Sequence, residues 1–123
     1  MKIAVYAKTG SIPQHRWVRL TGTVNADGAY ECEAVGVTRR AHALVLYHPK
    51  GAISPSVHGY AEALGCIEVA ETAEAIAAYA EVSSNPDGTI VQAKKRNLTV
   101  GVAIGAAAKG SMARIMMRWG RQP

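Results

Sequence analysis

Apolar and polar residues alternate with a period of two along most of the chain. Ile3, Val5 and Ala7 alternate with Lys2, Ala4, Tyr6 and Lys8, the pattern of a strand whose successive side chains point to opposite faces. Pro13 closes that run, because proline cannot donate to a sheet ladder. Arg16, Val18 and Leu20 alternate with His15, Trp17 and Arg19, and Tyr30, Cys32 and Ala34 alternate with Glu31 and Glu33. Further short strands are predicted over residues 42–48, 66–69, 81–84, 89–93 and 99–104. The last strand sets Ala113, Ile115, Met117 and Trp119 against Met112, Arg114, Met116 and Arg118, one apolar face and one basic face. Turn chemistry punctuates these runs at Asn25-Ala26-Asp27-Gly28, Pro49-Lys50-Gly51, Asn85-Pro86-Asp87-Gly88 and Lys109-Gly110.

One segment reads as helical. Over residues 72–79, Thr72 is a capping residue, Glu74 sits in the first turn, and Ile76 is the apolar anchor. Residues 49–60 show no regular period and read as a loop or extended arm. Together these predict one all-β domain over residues 1–123, with one short helix and about ten short strands in a small β-barrel or β-sandwich. An internal echo points to a two-part build. Asn25-Ala26-Asp27-Gly28 recurs as Asn85-Pro86-Asp87-Gly88, and Val35-Gly36-Val37 recurs as Val100-Gly101-Val102.

Composition adds one constraint. The 123 residues include 22 Ala but only 25 Val, Ile and Leu, and no Phe. Such a chain is long enough to fold alone, yet its core is thin, which predicts burial completed by association. No apolar run approaches the length of a membrane-spanning helix. The opening residues lack a secretory pattern, which predicts synthesis in the cytoplasm. Cys32 and Cys66 read as buried thiols, with a bridge between them as the other possibility. His15, His42, His48 and His58 show no metal-ligand spacing. His42 and His48 share a strand face but would stand about 20 Å apart. No Walker loop, nucleophile elbow or zinc-protease motif occurs. No catalytic, cofactor-binding or metal-binding residue is therefore predicted, and the chain does not read as an enzyme.

Charge is segregated. Residues 1–60 carry net +4, residues 61–93 carry net −6, and residues 94–123 carry net +7. The basic balance raises nucleic acid as a partner, and a small β-barrel nucleic-acid-binding protein is the alternative reading. Against it, the longest basic run, Lys94-Lys95-Arg96, contains no aromatic residue on which a base would stack. Alternating blocks of opposite sign fit complementary protein surfaces better.

An ordered set of short motifs resembles the capsid decoration, or cement, proteins of bacteriophages. The matching residues are Trp17-Val18-Arg19-Leu20, Asp27-Gly28, Ala34-Val35-Gly36-Val37, residues 74–84, Asp87-Gly88, Val100-Gly101-Val102-Ala103, and Ala113-Arg114-Ile115-Met116-Met117. Tyr79 stands where that pattern commonly has Gly. The resemblance implies a virion structural protein on the outer surface of an icosahedral head, bridging major capsid subunits and stabilising the expanded shell. It also implies self-association, as a homotrimer first and a homodimer second; the residues themselves point to no membrane partner and no cofactor. Candidate capsid or subunit contacts are the basic face of the last strand (Met112, Arg114, Met116, Arg118), the arm residues Ile53, Val57 and Tyr60, and Trp17 and Trp119, which read as core or subunit-interface anchors.

Overall fold

The computed structural model describes residues 2–36, 41, 43–47, 51–62, 67–94 and 97–121. The first half contains β1 (Lys2–Ala7), β2 (Ile12–Pro13), β3 (Trp17–Val24), β4 (Tyr30–Ala34), β5 (Ala43–Tyr47), β6 (Ala52–Ile53) and β7 (Gly59–Glu62). The second half contains β8 (Ile67–Glu71), β9 (Glu81–Ser84), β10 (Ile90–Gln92), β11 (Leu98–Ala103) and β12 (Met112–Arg121). The protein is all-β, and no helix occurs among the described residues.

Pairing sorts the strands into two units of the same build. In the first, β1, β4, β3, β5 and β7 pair in that order and β7 returns to β1, closing a barrel. In the second, β10, β9, β11, β12 and β8 form a five-stranded sheet. A parallel bridge between Thr72, just after β8, and Ile90 of β10 stitches its two ends. Placed side by side, β1 corresponds to β8, β3 to β9, β4 to β10, β5 to β11 and β7 to β12. In both units the one parallel contact joins the first and third of these, β1 to β4 and Thr72 to Ile90, and every other pairing is antiparallel. Even the small addition recurs. Ile12 of β2 pairs antiparallel with Ile53 of β6, and Ile76 pairs antiparallel with Ala107.

The echoed turns occupy the same place in both units. Asn25 N–H donates to Ala29 O at 2.9 Å and Gly28 N–H to Asn25 O at 3.0 Å; Asn85 and Gly88 make the same two bonds at 2.7 and 3.0 Å. Gly28 and Gly88 have φ of +81° and +89°, a conformation that favours glycine. The other half of the echo has no structural counterpart. Val35 and Gly36 leave β4 toward the second unit, whereas Val100, Gly101 and Val102 lie inside β11.

Two expectations are corrected. Residues 72–79 are not helical. Thr72 N–H donates to Ser111 O at 2.9 Å, Ile76 exchanges bonds with Ala107 at 2.8 and 2.9 Å, and Tyr79 N–H donates to Ala103 O at 2.7 Å. A two-turn helix carries the full nucleation cost for few internal bonds, and the segment between β11 and β12 supplies partners at once. The arm is also more regular than its sequence. Residues 52–53 and 59–62 are β6 and β7, and β7 pairs on both sides, with β1 and with β5.

Each unit has its own core. Val5, Ala7, Val18, Cys32, Ile53 and Ala61 fill the first, and Val82, Ile90, Val100, Ala113 and Ile115 are central in the second. Trp17 belongs to the first unit by strand and to the second by packing. Its amide donates to Gly88 O at 2.9 Å, and beside it Gly36 N–H donates to Pro86 O and Glu71 N–H to His15 O, at 2.9 and 3.1 Å. Arg16 completes this junction, with Nη2 2.5 Å from Glu71 and Nη1 3.8 Å from Asp87.

Candidate protein-docking face

The alternation read in the last strand is present in β12. Ala113 and Ile115 are buried, and Met112, Arg114, Met116 and Arg118 are exposed. β12 is an inner strand, flanked by β8 and β11, so its exposed side chains stand in the middle of a sheet face. Directly opposite residues on adjacent strands share a face. Met116 lies opposite Ile67 on β8 and Val102 on β11, and Arg114 lies opposite Val69. Ile104 N–H donates to Arg114 O at 3.0 Å, which extends this face past the end of β11.

The result is an apolar patch studded with arginine. Ile67 is 54% exposed, Met112 49% and Met116 46%, which is far more than a large side chain retains inside a core. Arg114 has no ion-pair partner among the described residues, whereas Arg118 is ion-paired to Glu81 of β9. Exposed apolar surface of this kind makes the face a candidate for docking. Methionine and arginine suit it: the thioether chain adapts to a partner's shape, and the guanidinium offers five donors to carboxylates or carbonyls.

The other predicted contacts separate. Tyr60 of β7 is exposed opposite Ala4 of β1, on the strand that corresponds to β12 in the other unit. Val57 is half-buried in a bridge with Ser54. Ile53 and Trp17 are fully enclosed within this chain and offer no surface to a partner; the contact role expected of Ile53 is corrected to that of a core residue, and of the two roles expected of Trp17 the structure shows the core one. The side chain of Trp119, and residues His42, His48, Cys66, Lys95 and Arg96, lie outside the described residues. Nothing in the local pattern singled out Ile67 as a surface residue. In β8 the small residue Ala70 points inward while Ile67 is exposed, the reverse of what hydrophobicity alone would choose.

Titratable groups follow their surroundings. Burial, reinforced by the charges of Glu31 and Glu33, pushes the Cys32 thiol up to about 12. Burial likewise raises the pKa of Glu68, and the neighbouring Glu62 adds to this. Burial works in the same direction on Asp87, but the hydroxyl and amide of Thr89 and the Arg16 charge outweigh it and lower its pKa. Among the described residues no three His, Cys, Asp or Glu side chains gather as for a metal ion, and no helix is long and apolar enough to cross a membrane.

No family model matches the chain, and no curated protein matches it in sequence. Its fold does have a counterpart among solved structures. Along its whole length the chain is similar to the N base of the head fiber protein gp8.5 of bacteriophage phi29, at a TM-score of 0.71 and 11% sequence identity, covering 100% of this chain and 98% of that one.

Proposed function

We propose that this protein is a bacteriophage virion structural protein that sits on the outer surface of the icosahedral head and bridges major capsid subunits. The observation that carries this reading is the full-length likeness of fold to the base of a phage head fiber. The exposed apolar and arginine-bearing face of β8, β12 and β11 supports it by offering a docking surface. A protein that binds only the expanded shell stabilises that shell by mass action, and many copies on one lattice add avidity. The working form in this reading is a homo-oligomer, a homotrimer before a homodimer, with no catalytic role.

The test is co-sedimentation with expanded, DNA-free heads of the phage that encodes the protein. Binding is expected to saturate at a fixed ratio of this chain to capsid subunits. Met116→Asp and Arg114→Glu should each weaken it at least tenfold while leaving the fold intact. Failure of the native protein to bind either heads or the isolated capsid protein would overturn the proposal. Tight binding to duplex or single-stranded nucleic acid at low salt, with a steep salt dependence, would favour the nucleic-acid reading instead.

A further inference from the structure

The two units meet through a junction that uses one surface of each, and the partner surfaces that the repeat implies are left open. In the junction, residues 15–17 of the first unit cover the turn 85–88 of the second. Trp17 lies so close that a Cβ on Gly88 would stand 2.4 Å from Trp17 O. Ser84 and Ile90, paired across that turn, are wholly buried.

The corresponding turn of the first unit, 25–28, has no such cover. A Cβ on Gly28 would meet nothing within 4 Å. Val24 and Tyr30, paired across this turn, are 51% and 40% exposed. The larger and more aromatic pair is therefore the open one. Asp27 on this turn has no ion-pair partner among the described residues, whereas its counterpart Asp87 faces Arg16.

The segment that matches the covering strand pairs its backbone within its own unit, Tyr79 N–H and Ala80 O with Ala103 and Glu81 O with Ala93, but Tyr79 presents an open side chain. Residues 79–81 correspond to residues 15–17, as each leads into the first strand of its hairpin. The two non-glycine residues with left-handed φ mark the correspondence: His15 at +63° and Tyr79 at +64°, each three positions after the bridging Ile12 or Ile76. His15 is spent on the junction, its Nδ1 3.2 Å from Val69 O. Tyr79 is 79% exposed and is held in a backbone conformation that costs a non-glycine residue energy. Arg118, ion-paired to Glu81, places a cation beside this segment.

We infer that residues 79–81 of one copy dock on the open 25–28 turn of a second copy, so that the junction inside the chain is repeated between chains, head to tail. An interface of this heterologous kind closes into a ring or runs on as a filament. The inference deepens the self-association in the proposed function and rests on it only to that extent; it does not depend on the shell-binding face.

Two exposed variants test it by light scattering or sedimentation. The native chain is expected to form a trimer or larger closed species, and Tyr79→Asp and Val24→Asp should each give folded monomers by circular dichroism. Mixed together, the two variants should form dimers and stop there, because each retains one working surface of the pair. A native chain that is monomeric or no larger than a dimer overturns the inference, as do variants that keep the native size or a mixture that stays monomeric. Met116→Asp is the counterpart control. It should keep the native size and lose the shell, so loss of assembly and loss of shell binding are read separately.

Discussion

At the scale of single residues, space and backbone conformation set distinct costs at equivalent positions. Gly28 and Gly88 both need positive φ, but only Gly88 lies against a backbone atom of another strand. Gly28→Ala should cost about 1 kcal/mol, the left-handed penalty alone. Gly88→Ala should cost about 3 kcal/mol or more, because overpacking against Trp17 adds to it; urea denaturation of the two variants would check the difference. Tyr79 makes a related point. The chain holds its left-handed turn there with Tyr at φ +64°, where glycine would carry no strain. Cys32, with its thiol pushed up to about 12, should resist alkylation at neutral pH in the native protein and react once urea unfolds it. Rapid labelling of native Cys32, identified by peptide mapping, would contradict its burial.

At the scale of elements, β12 shows what alternation can and cannot tell. Its inward and outward residues were legible because the side-chain period of a strand is a local property. Ile115→Ala should therefore destabilise by about 2–5 kcal/mol, whereas Met116→Ala should stay within about 0.5 kcal/mol, both measured by urea titration. Residues 72–79 show the limit. Thr72, Glu74 and Ile76 carry genuine helix-start signals, yet two turns of helix compete poorly with partners already aligned on residues 103–111. β7 was missed for the opposite reason. Gly59, Tyr60, Ala61 and Glu62 show little local preference, and the strand exists because β1 and β5 pair with it on both sides.

At the scale of the molecule, the junction makes the two units interdependent, and Asp87 is its titrating member. Its pKa is lowered below the ordinary 3.8 on folding, so its contribution is fully present above that pH. It is lost as pH falls through the lower, folded-state value. Acid unfolding followed by tryptophan fluorescence should show this loss below pH 3.8, and Asp87→Asn should flatten that part of the curve. An unchanged acid limb would mean that Asp87 does not couple the units. The opposite end of the scale belongs to Cys32. Its stabilising effect is present below its ordinary value of 9.0 and fades as pH rises toward about 12.

The sequence by itself determined the all-β class, both Asn-Asp-Gly turns and the two faces of β12, because turn chemistry and side-chain alternation are written in neighbouring residues. Only the tertiary structure decided that the chain is one strand order used twice, that Trp17 and Ile53 are enclosed, and that Ile67 and Tyr79 are open. Those outcomes depend on which distant strands pair and which faces they cover. The thin core is explained at that level: large apolar side chains such as Ile67, Met116 and Tyr30 stand on the surface and not in it, because the strand pairing turns their faces outward.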